Sequence, residues 1–149
     1  MATNQVSYTF ESSLESVNQA EAMAVKYAAA AGFDDDQIQS IAMAVREATI
    51  NAVSHGNRQD PNKRVFVIFE HGPAILQVVV RDEGKGFNGS ALPDPLAPEN
   101  LLKPSGRGIF LIRSFMDEVH FRDLHPGTEI TLIKRVRGAA ADHKEKETS

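Results

Sequence analysis

The chain has 149 residues and a formal net charge of −4 at neutral pH, which suits one domain with a single sizeable core. Its 42% hydrophobic and 24% charged residues are typical of a globular protein, and the acidic surplus argues against a broad nucleic-acid-binding surface. The absence of cysteine excludes disulfides and thiol nucleophiles, and without a signal-peptide pattern or an apolar run of roughly 20 residues a cytoplasmic protein with no membrane segment is expected.

The first part of the chain predicts one strand followed by two helices. Alternating apolar residues predict a strand at 4–11, and the alanine-rich segment 13–31 predicts a helix. Asp34 or Asp35 is expected to cap a second helix, because acids are favoured at a helix N-terminus. This helix runs to about His55, and Gly56 and Asn57 end it.

One polar ridge of the second helix carries candidate functional residues. Glu47, Asn51 and His55 follow at intervals of four, so they lie in a row beside the apolar stripe of the helix. Asparagine is a poor helix former, and its side-chain oxygen is a suitable ligand for Mg²⁺. A carboxylate one turn away suits a general base. A solvated polar edge is the alternative explanation for this ridge.

The second part of the chain predicts four strands, one helix and a long loop. The strands are predicted at 65–71, 74–82, 118–123 and 128–136. Residues 88–105 are rich in Pro, Ser and Asn and predict a loop, which at that length is usually functional or mobile. A short helix is predicted at 106–117, starting at glycines, and the polar tail 138–149 is expected to be disordered.

The order of these elements predicts a two-layer α/β sandwich of the α+β type. Strands come mostly in adjacent pairs, which favours a mostly antiparallel mixed sheet covered on one face by helices. A doubly wound nucleotide fold is excluded, because strands and helices do not alternate. Residues 1–137 are expected to form one domain.

Two glycine-containing segments are candidate ligand sites. Asp82 follows the apolar run ILQVVV and precedes Gly84 and Gly86, so this segment is either an ordinary turn or a site where a ligand approaches the backbone. The segment 104–111, PSGRGIFL, places glycines at a helix start, where free N–H groups favour phosphate. A flexible hinge is the alternative, and neither a Walker A loop nor a Rossmann fingerprint is present.

Four motifs in order give the chain a family resemblance. They are E-x-x-x-N-A-V-x-H-G, D-E-G-x-G-F, G-x-G-I-x-L-I and G-T-E-I-T-L. This series, over roughly 4–137, resembles the GHKL (Bergerat-fold) ATP-binding superfamily. Within it the chain looks most like the anti-sigma-factor serine kinases, because of its size and the segments AVREATINAVSHGN and SFMDEVHF.

The resemblance implies ATP and Mg²⁺ as cofactors and assigns roles at the phosphate end. Glu47 would be the base acting on an acceptor serine, and Asn51 would ligate Mg²⁺ between the phosphates. His55 would help to position phosphate or would cap the helix. The residues expected to meet the phosphates are Gly106, Arg107 and Gly108.

The resemblance also implies a binding site for adenine. Asp82 would accept a hydrogen bond from the exocyclic amine, and Gly84 and Gly86 would let the backbone pass close to the base. Thr128 would help to bind adenine through a water shared with the aspartate. The loop 88–105 would be the ATP lid.

The expected function is that of an ATP-dependent protein serine kinase and anti-sigma factor. Its partners would be a sigma factor and an anti-sigma-factor antagonist that carries the acceptor serine, and the family implies a homodimer. Two alternatives stay open: a non-catalytic nucleotide-binding regulator that sequesters a partner, and a histidine-kinase-like ATPase domain that acts in trans.

Overall fold

The computed structural model describes residues 4–58, 60–84 and 104–136, and of His55 and residues 104–107 the backbone only. The strands are β1 (Asn4–Glu11), β2 (Arg64–Gly72), β3 (Ile75–Arg81), β4 (Glu118–Asp123) and β5 (Thr128–Arg135). The helices are α1 (Leu14–Ala31), α2 (Asp35–Ile50) and α3 (Pro104–Phe115). A short π-helix at Asn51–Gly56, named the π-turn, continues α2. The predicted strands and helices are confirmed, with small shifts at their ends.

The sheet has the strand order β1-β2-β3-β5-β4, and each neighbouring pair is antiparallel. The predicted hairpin between β2 and β3 is confirmed, and within the described ranges the sheet contains no parallel pair. Because β5 lies between β3 and β4, Arg81 at the end of β3 pairs with Glu129 near the start of β5. This pairing brings two segments that are distant in the sequence to the same end of the sheet.

The core lies between the helices and one face of the sheet. On β2, Val65, Val67 and Phe69 are fully buried and alternate with partly exposed residues, as a half-buried strand requires. On α1, small buried residues recur every four positions along one face of the helix; they are Ala20, Ala24 and Ala28. The predicted α+β sandwich with helices on one face of the sheet is therefore confirmed.

A capping box fixes the start of α2. Asp34 is the N-cap: its Oδ1 accepts a hydrogen bond from the Gln37 N–H at 2.8 Å, and its own N–H donates to Gln37 Oε1 at 3.4 Å. Of the two predicted caps, Asp34 is therefore the one that is used. The predicted end of the helical segment at Gly56 is also confirmed.

The predicted start of α3 was wrong by two residues. The helix begins at Pro104, so Gly106 lies within its first turn and Gly108 within the next. Proline suits the first helical position, because it lacks the N–H that would be unpaired there and its φ is already helical. Of the predicted lid 88–105, Pro104 and Ser105 belong to this helix, and the rest lies outside the described residues.

The tail 138–149 also lies outside the described residues, so the domain boundary at 137 stays a prediction. Within the described ranges, no helix combines the length and the apolar character that crossing a membrane requires.

Asp34→Ala is expected to lower the free energy of unfolding by about 1 kcal/mol, because the Gln37 N–H loses its acceptor. Urea unfolding followed by circular dichroism measures the change. Asp36→Ala is the control, since Asp36 is another exposed acid of the same first turn but lies outside the capping box. Equal losses in the two variants would show that general charge at the helix start, and not the cap, stabilises α2.

Candidate functional site

The candidate site begins where β3 ends. Asp82, the first residue after β3, is buried, with 7% of its surface exposed. Its N–H donates to the Thr128 carbonyl at 3.0 Å, and its Oδ1 accepts from the Thr128 N–H at 3.2 Å and from the Gly84 N–H at 2.9 Å. The predicted grouping of Asp82, Gly84 and Thr128 is therefore present. It arises because the β3–β5 pairing continues for one residue beyond the strand.

The electrostatics of Asp82 are dominated by its burial. Desolvation raises the pKa of the carboxyl, while the hydrogen bonds from Gly84 and Thr128 and the charge of Lys63 act in the opposite direction. In the part of the chain that the structure describes, the hydrogen bonds to this carboxylate engage Oδ1 alone. The second oxygen is a suitable acceptor for an N–H donor of a ligand.

The backbone approaches this carboxylate too closely for any side chain. A Cβ built on Gly56 would lie 2.3 Å from Asp82 Oδ2, and one built on Gly84 would lie 2.0 Å from the Gly56 carbonyl oxygen. The turn explanation of the D-x-G segment is therefore confirmed, and the ligand site stays a prediction. The Gly84 N–H bonds the aspartate two residues earlier, as in an Asx turn, and the same turn presses the acid against the end of the π-turn.

Gly127 closes the other side of the same contact. Its φ is +97°, a left-handed conformation, and a Cβ at this position would lie 2.1 Å from the Asp82 carbonyl oxygen. The local sequence pattern does not predict Gly56 or Gly127 as site residues. The available signal was their position, since each directly adjoins a residue that was assigned, His55 or Thr128.

The other half of the site lies between α2 and α3. Glu47 and Asn51 are half-buried, and both face Gly108. A Cβ at Gly108 would lie 3.2 Å from Glu47 Oε2 and 3.6 Å from Asn51 Oδ1. The predicted convergence of these three residues is therefore present, and a glycine keeps the space between the two helices open.

The amide of Asn51 has a donor without a partner. Asn51 Nδ2 is buried and makes no hydrogen bond to any described residue. Leaving such a group unpaired costs about 1–3 kcal/mol, so an orphaned buried donor is a typical sign of a ligand site. The π-turn begins at Asn51, and π-turns within helices are frequent at functional sites.

The π-turn connects the two halves of the site, since Asn51 lies at its start and Gly56, against Asp82, at its end. The side chains of His55 and Arg107 are not among those described, and Gly106 is described only as backbone within α3. Gly86 lies outside the described residues. Over residues 4–58, 60–84 and 104–136, no group of three or more His, Cys, Asp or Glu side chains is placed to hold a metal ion.

Residues 10–134 match the family model of the histidine kinase-like ATPase domain. The chain belongs to this family. The match runs from the last two residues of β1 to all but the last residue of β5, so it includes both halves of the candidate site. The resemblance inferred from the four motifs is confirmed.

Two relatives of this ATPase domain show where in the family the chain falls. It is 32% identical over 118 residues to the serine-protein kinase RsbW of Bacillus subtilis (strain 168), a match that covers 75% of this chain and 73% of that protein. It is 36% identical over 111 residues to the anti-sigma F factor of Geobacillus thermodenitrificans (strain NG80-2), a match that covers 71% of this chain and 75% of that protein.

A solved structure confirms the fold. The crystal structure of the RsbU and RsbW domains of Rv1364c from Mycobacterium tuberculosis is similar to the ATPase domain described here, with a TM-score of 0.64 at 21% identity. The similarity covers 89% of this chain and 32% of that longer chain.

Asp82→Asn is expected to make the ATPase domain more stable at pH 7 than the natural sequence. The amide oxygen keeps both backbone hydrogen bonds, and the buried charge is removed. The pKa of Asp82 is higher in the folded than in the unfolded protein. The free energy of unfolding of the natural protein therefore falls as pH rises from about 3.9, the ordinary pKa of aspartate, through the raised pKa of the folded state. The advantage of the variant should therefore shrink as pH falls towards 4.

Urea unfolding at pH 4, 5.5 and 7 measures this difference. Asp36→Asn is a control, since Asp36 is an exposed acid of α2 that lies outside both the capping box and the β3–β5 pairing. An Asp82→Asn protein that is less stable than the natural one at pH 7 would contradict the prediction.

Proposed function

We propose that this chain is an ATP-dependent protein serine kinase that also acts as an anti-sigma factor. The names of the two relatives, serine-protein kinase and anti-sigma F factor, support both activities. One observation carries the proposal for this chain's own residues. A buried carboxylate at one end of the π-turn and the Glu47–Asn51 pair at the other form two chemically different ends of one site.

The carboxylate of Asp82 suits the recognition of adenine. Adenine carries an exocyclic amine that can donate a hydrogen bond to Asp82 Oδ2, whereas guanine carries a carbonyl at that position. A buried acceptor left facing a carbonyl is unpaired, which is a strong basis for discrimination. Thr128 lies beside the same carboxylate, and we assign it to the base as well.

The Glu47–Asn51 pair suits the phosphates and the transfer of the phosphoryl group. Asn51 Oδ1 would hold Mg²⁺, while the orphaned Nδ2 donates to a phosphate oxygen. Bound Mg²⁺ supplies neutralisation of the phosphate charge. Gly108 leaves room for the phosphates, and we keep the assignment of Gly106 and Arg107 to them.

Glu47 is proposed as the base that accepts the proton of the acceptor serine hydroxyl. Its Oε2 lies in the space between α2 and α3, where it and Asn51 Oδ1 face the same side of Gly108 at 3.2 and 3.6 Å from the position of a Cβ. A carboxylate at hydrogen-bonding range of the reacting hydroxyl contributes typically 10²–10⁴-fold to such a transfer.

The proposed partners form a switch. The kinase phosphorylates a small anti-sigma-factor antagonist and is then free to hold a sigma factor. We further propose that the chain works as a homodimer in the cytoplasm, as in the family that it resembles.

Glu47→Gln is expected to lower phosphoryl transfer by about 10²–10⁴-fold while ATP affinity stays within about twofold, because the amide fits the same space but cannot accept the proton. The acceptor is the anti-sigma-factor antagonist whose gene lies nearest to the gene of this chain. Transfer is measured as acid-stable label on this acceptor after incubation with γ-labelled ATP, and ATP binding is measured by calorimetry. Glu15→Gln, an exposed acid of α1, is the control.

Each other outcome of this experiment points to a different function. Transfer unchanged in Glu47→Gln would remove Glu47 as the base. ATP binding without any transfer in the natural protein would indicate a nucleotide-binding regulator. Acid-labile label on the acceptor would indicate histidine phosphorylation.

Asn51→Ala is expected to weaken ATP binding in the presence of Mg²⁺ by at least about tenfold and to abolish the difference between titrations with and without Mg²⁺. The reason is the loss of both the metal ligand and the phosphate donor. Gln39→Ala removes an exposed amide from the same helix and should change neither titration. Magnesium-dependent binding that persists in Asn51→Ala would contradict the assignment.

A further inference from the structure

Asn57 lies directly after the π-turn and has 1% of its surface exposed. Its side-chain amide is fully paired. Nδ2 donates to Ser12 Oγ at 2.8 Å and to the Arg64 carbonyl at 2.9 Å, and Oδ1 accepts from the Glu83 N–H at 2.7 Å. A single amide thus joins three segments of chain, a role that the sequence analysis did not assign to it.

The same three segments are also joined to one another in pairs, since the Arg64 N–H donates to Glu83 Oε1 and Glu11 pairs with Arg64. Ser12 forms the corner between β1 and α1 and also donates to the Lys63 carbonyl at 2.7 Å. Arg64 begins β2, and Glu83 directly follows Asp82. The Asn57 N–H closes the end of the π-turn by donating to the Ala52 carbonyl at 2.8 Å.

The hydrogen bond between the Glu83 N–H and Asn57 Oδ1 holds the peptide group that joins Asp82 to Glu83. On the other side, Asp82 is held by its backbone and side-chain bonds to Thr128. The bond from Glu83 to Asn57 therefore fixes the turn from the side of the π-turn, where Gly56 lies against Asp82 Oδ2. Without it, β5 still holds the strand end and the Arg64 N–H still holds the Glu83 side chain, but within the described chain no other hydrogen bond joins the backbone after Asp82 to the end of the π-turn.

We propose that Asn57 is a positioning residue for base recognition. It keeps the Asp82 carboxylate at a fixed position relative to the π-turn. The inference rests on the proposed function, since it assumes that Asp82 reads the base. Asn57 itself need not touch the nucleotide. Its effect should appear as a loss of selectivity for adenine, in addition to any loss of stability.

The test compares the dissociation constants of ATP and inosine triphosphate, measured by calorimetry. Inosine triphosphate carries a carbonyl where adenine has its exocyclic amine. The natural protein is expected to bind ATP about 100-fold more tightly, the effect of one unpaired buried charged acceptor. In Asn57→Ala this ratio should fall by at least about tenfold.

Two controls separate positioning from general damage. Asn62→Ala removes an exposed asparagine from the nearby polar loop. Val67→Ala creates a cavity in the core under β2 and should destabilise the protein without moving Asp82. Both should keep the natural ratio. If Asn57→Ala does not fold, Ser12→Ala takes its place, because it removes one hydrogen-bond partner of the same amide. The preference of this variant for ATP over inosine triphosphate should then be lower than that of the natural protein.

A natural ratio in folded Asn57→Ala would overturn the inference, as would an equal loss of selectivity in Val67→Ala. If Asn57→Ala does not fold, an unchanged ratio in Ser12→Ala would also overturn it. Failure of the proposed function gives a different result, because the natural protein itself would then bind no ATP or would not distinguish the two nucleotides.

Discussion

The continuation of the β3–β5 pairing by one residue is the interaction on which the candidate site depends. The Asp82 N–H donates to the Thr128 carbonyl as if the strand went on, and the Asp82 carboxylate accepts from the Thr128 N–H in return. The ladder thereby fixes a buried carboxylate in both position and direction. Gly56, Gly84 and Gly127 are needed around it because the chain passes on three sides at distances that exclude a Cβ.

The site concentrates groups that oppose folding at one end of the molecule. The charge of Asp82 is partly desolvated, and the Asn51 donor has no partner within the described chain. The apolar layer between helices and sheet, with Phe69, Ile41 and Leu76 fully buried, offsets these costs. Buried polar groups that reduce stability in the free protein are typical of positions that a ligand completes.

The sequence predicted those features that depend on local pattern. Alternation located the strands, and the four-residue spacing of Glu47 and Asn51 placed them on one side of α2. The start of α3 was missed, because Pro104 closes a proline-rich stretch that looks like loop until it is seen to occupy the first helical position.

The remaining features depend on which segments meet, and local pattern does not contain that information. The insertion of β5 between β3 and β4 places Gly127 against Asp82, 45 residues earlier. The bond between Asn57 and Glu83 likewise joins positions 26 residues apart. Such residues read as ordinary turn formers in the sequence, and their roles follow only from the strand order.

The most direct test of the account is a crystal structure of the chain with Mg²⁺ and a non-hydrolysable ATP analogue. The account predicts the adenine amine within hydrogen-bonding distance of Asp82 and the metal ion on the Asn51 oxygen, with the phosphates in the space left by Gly108. A nucleotide bound elsewhere, or an adenine whose amine faces away from Asp82, would contradict it.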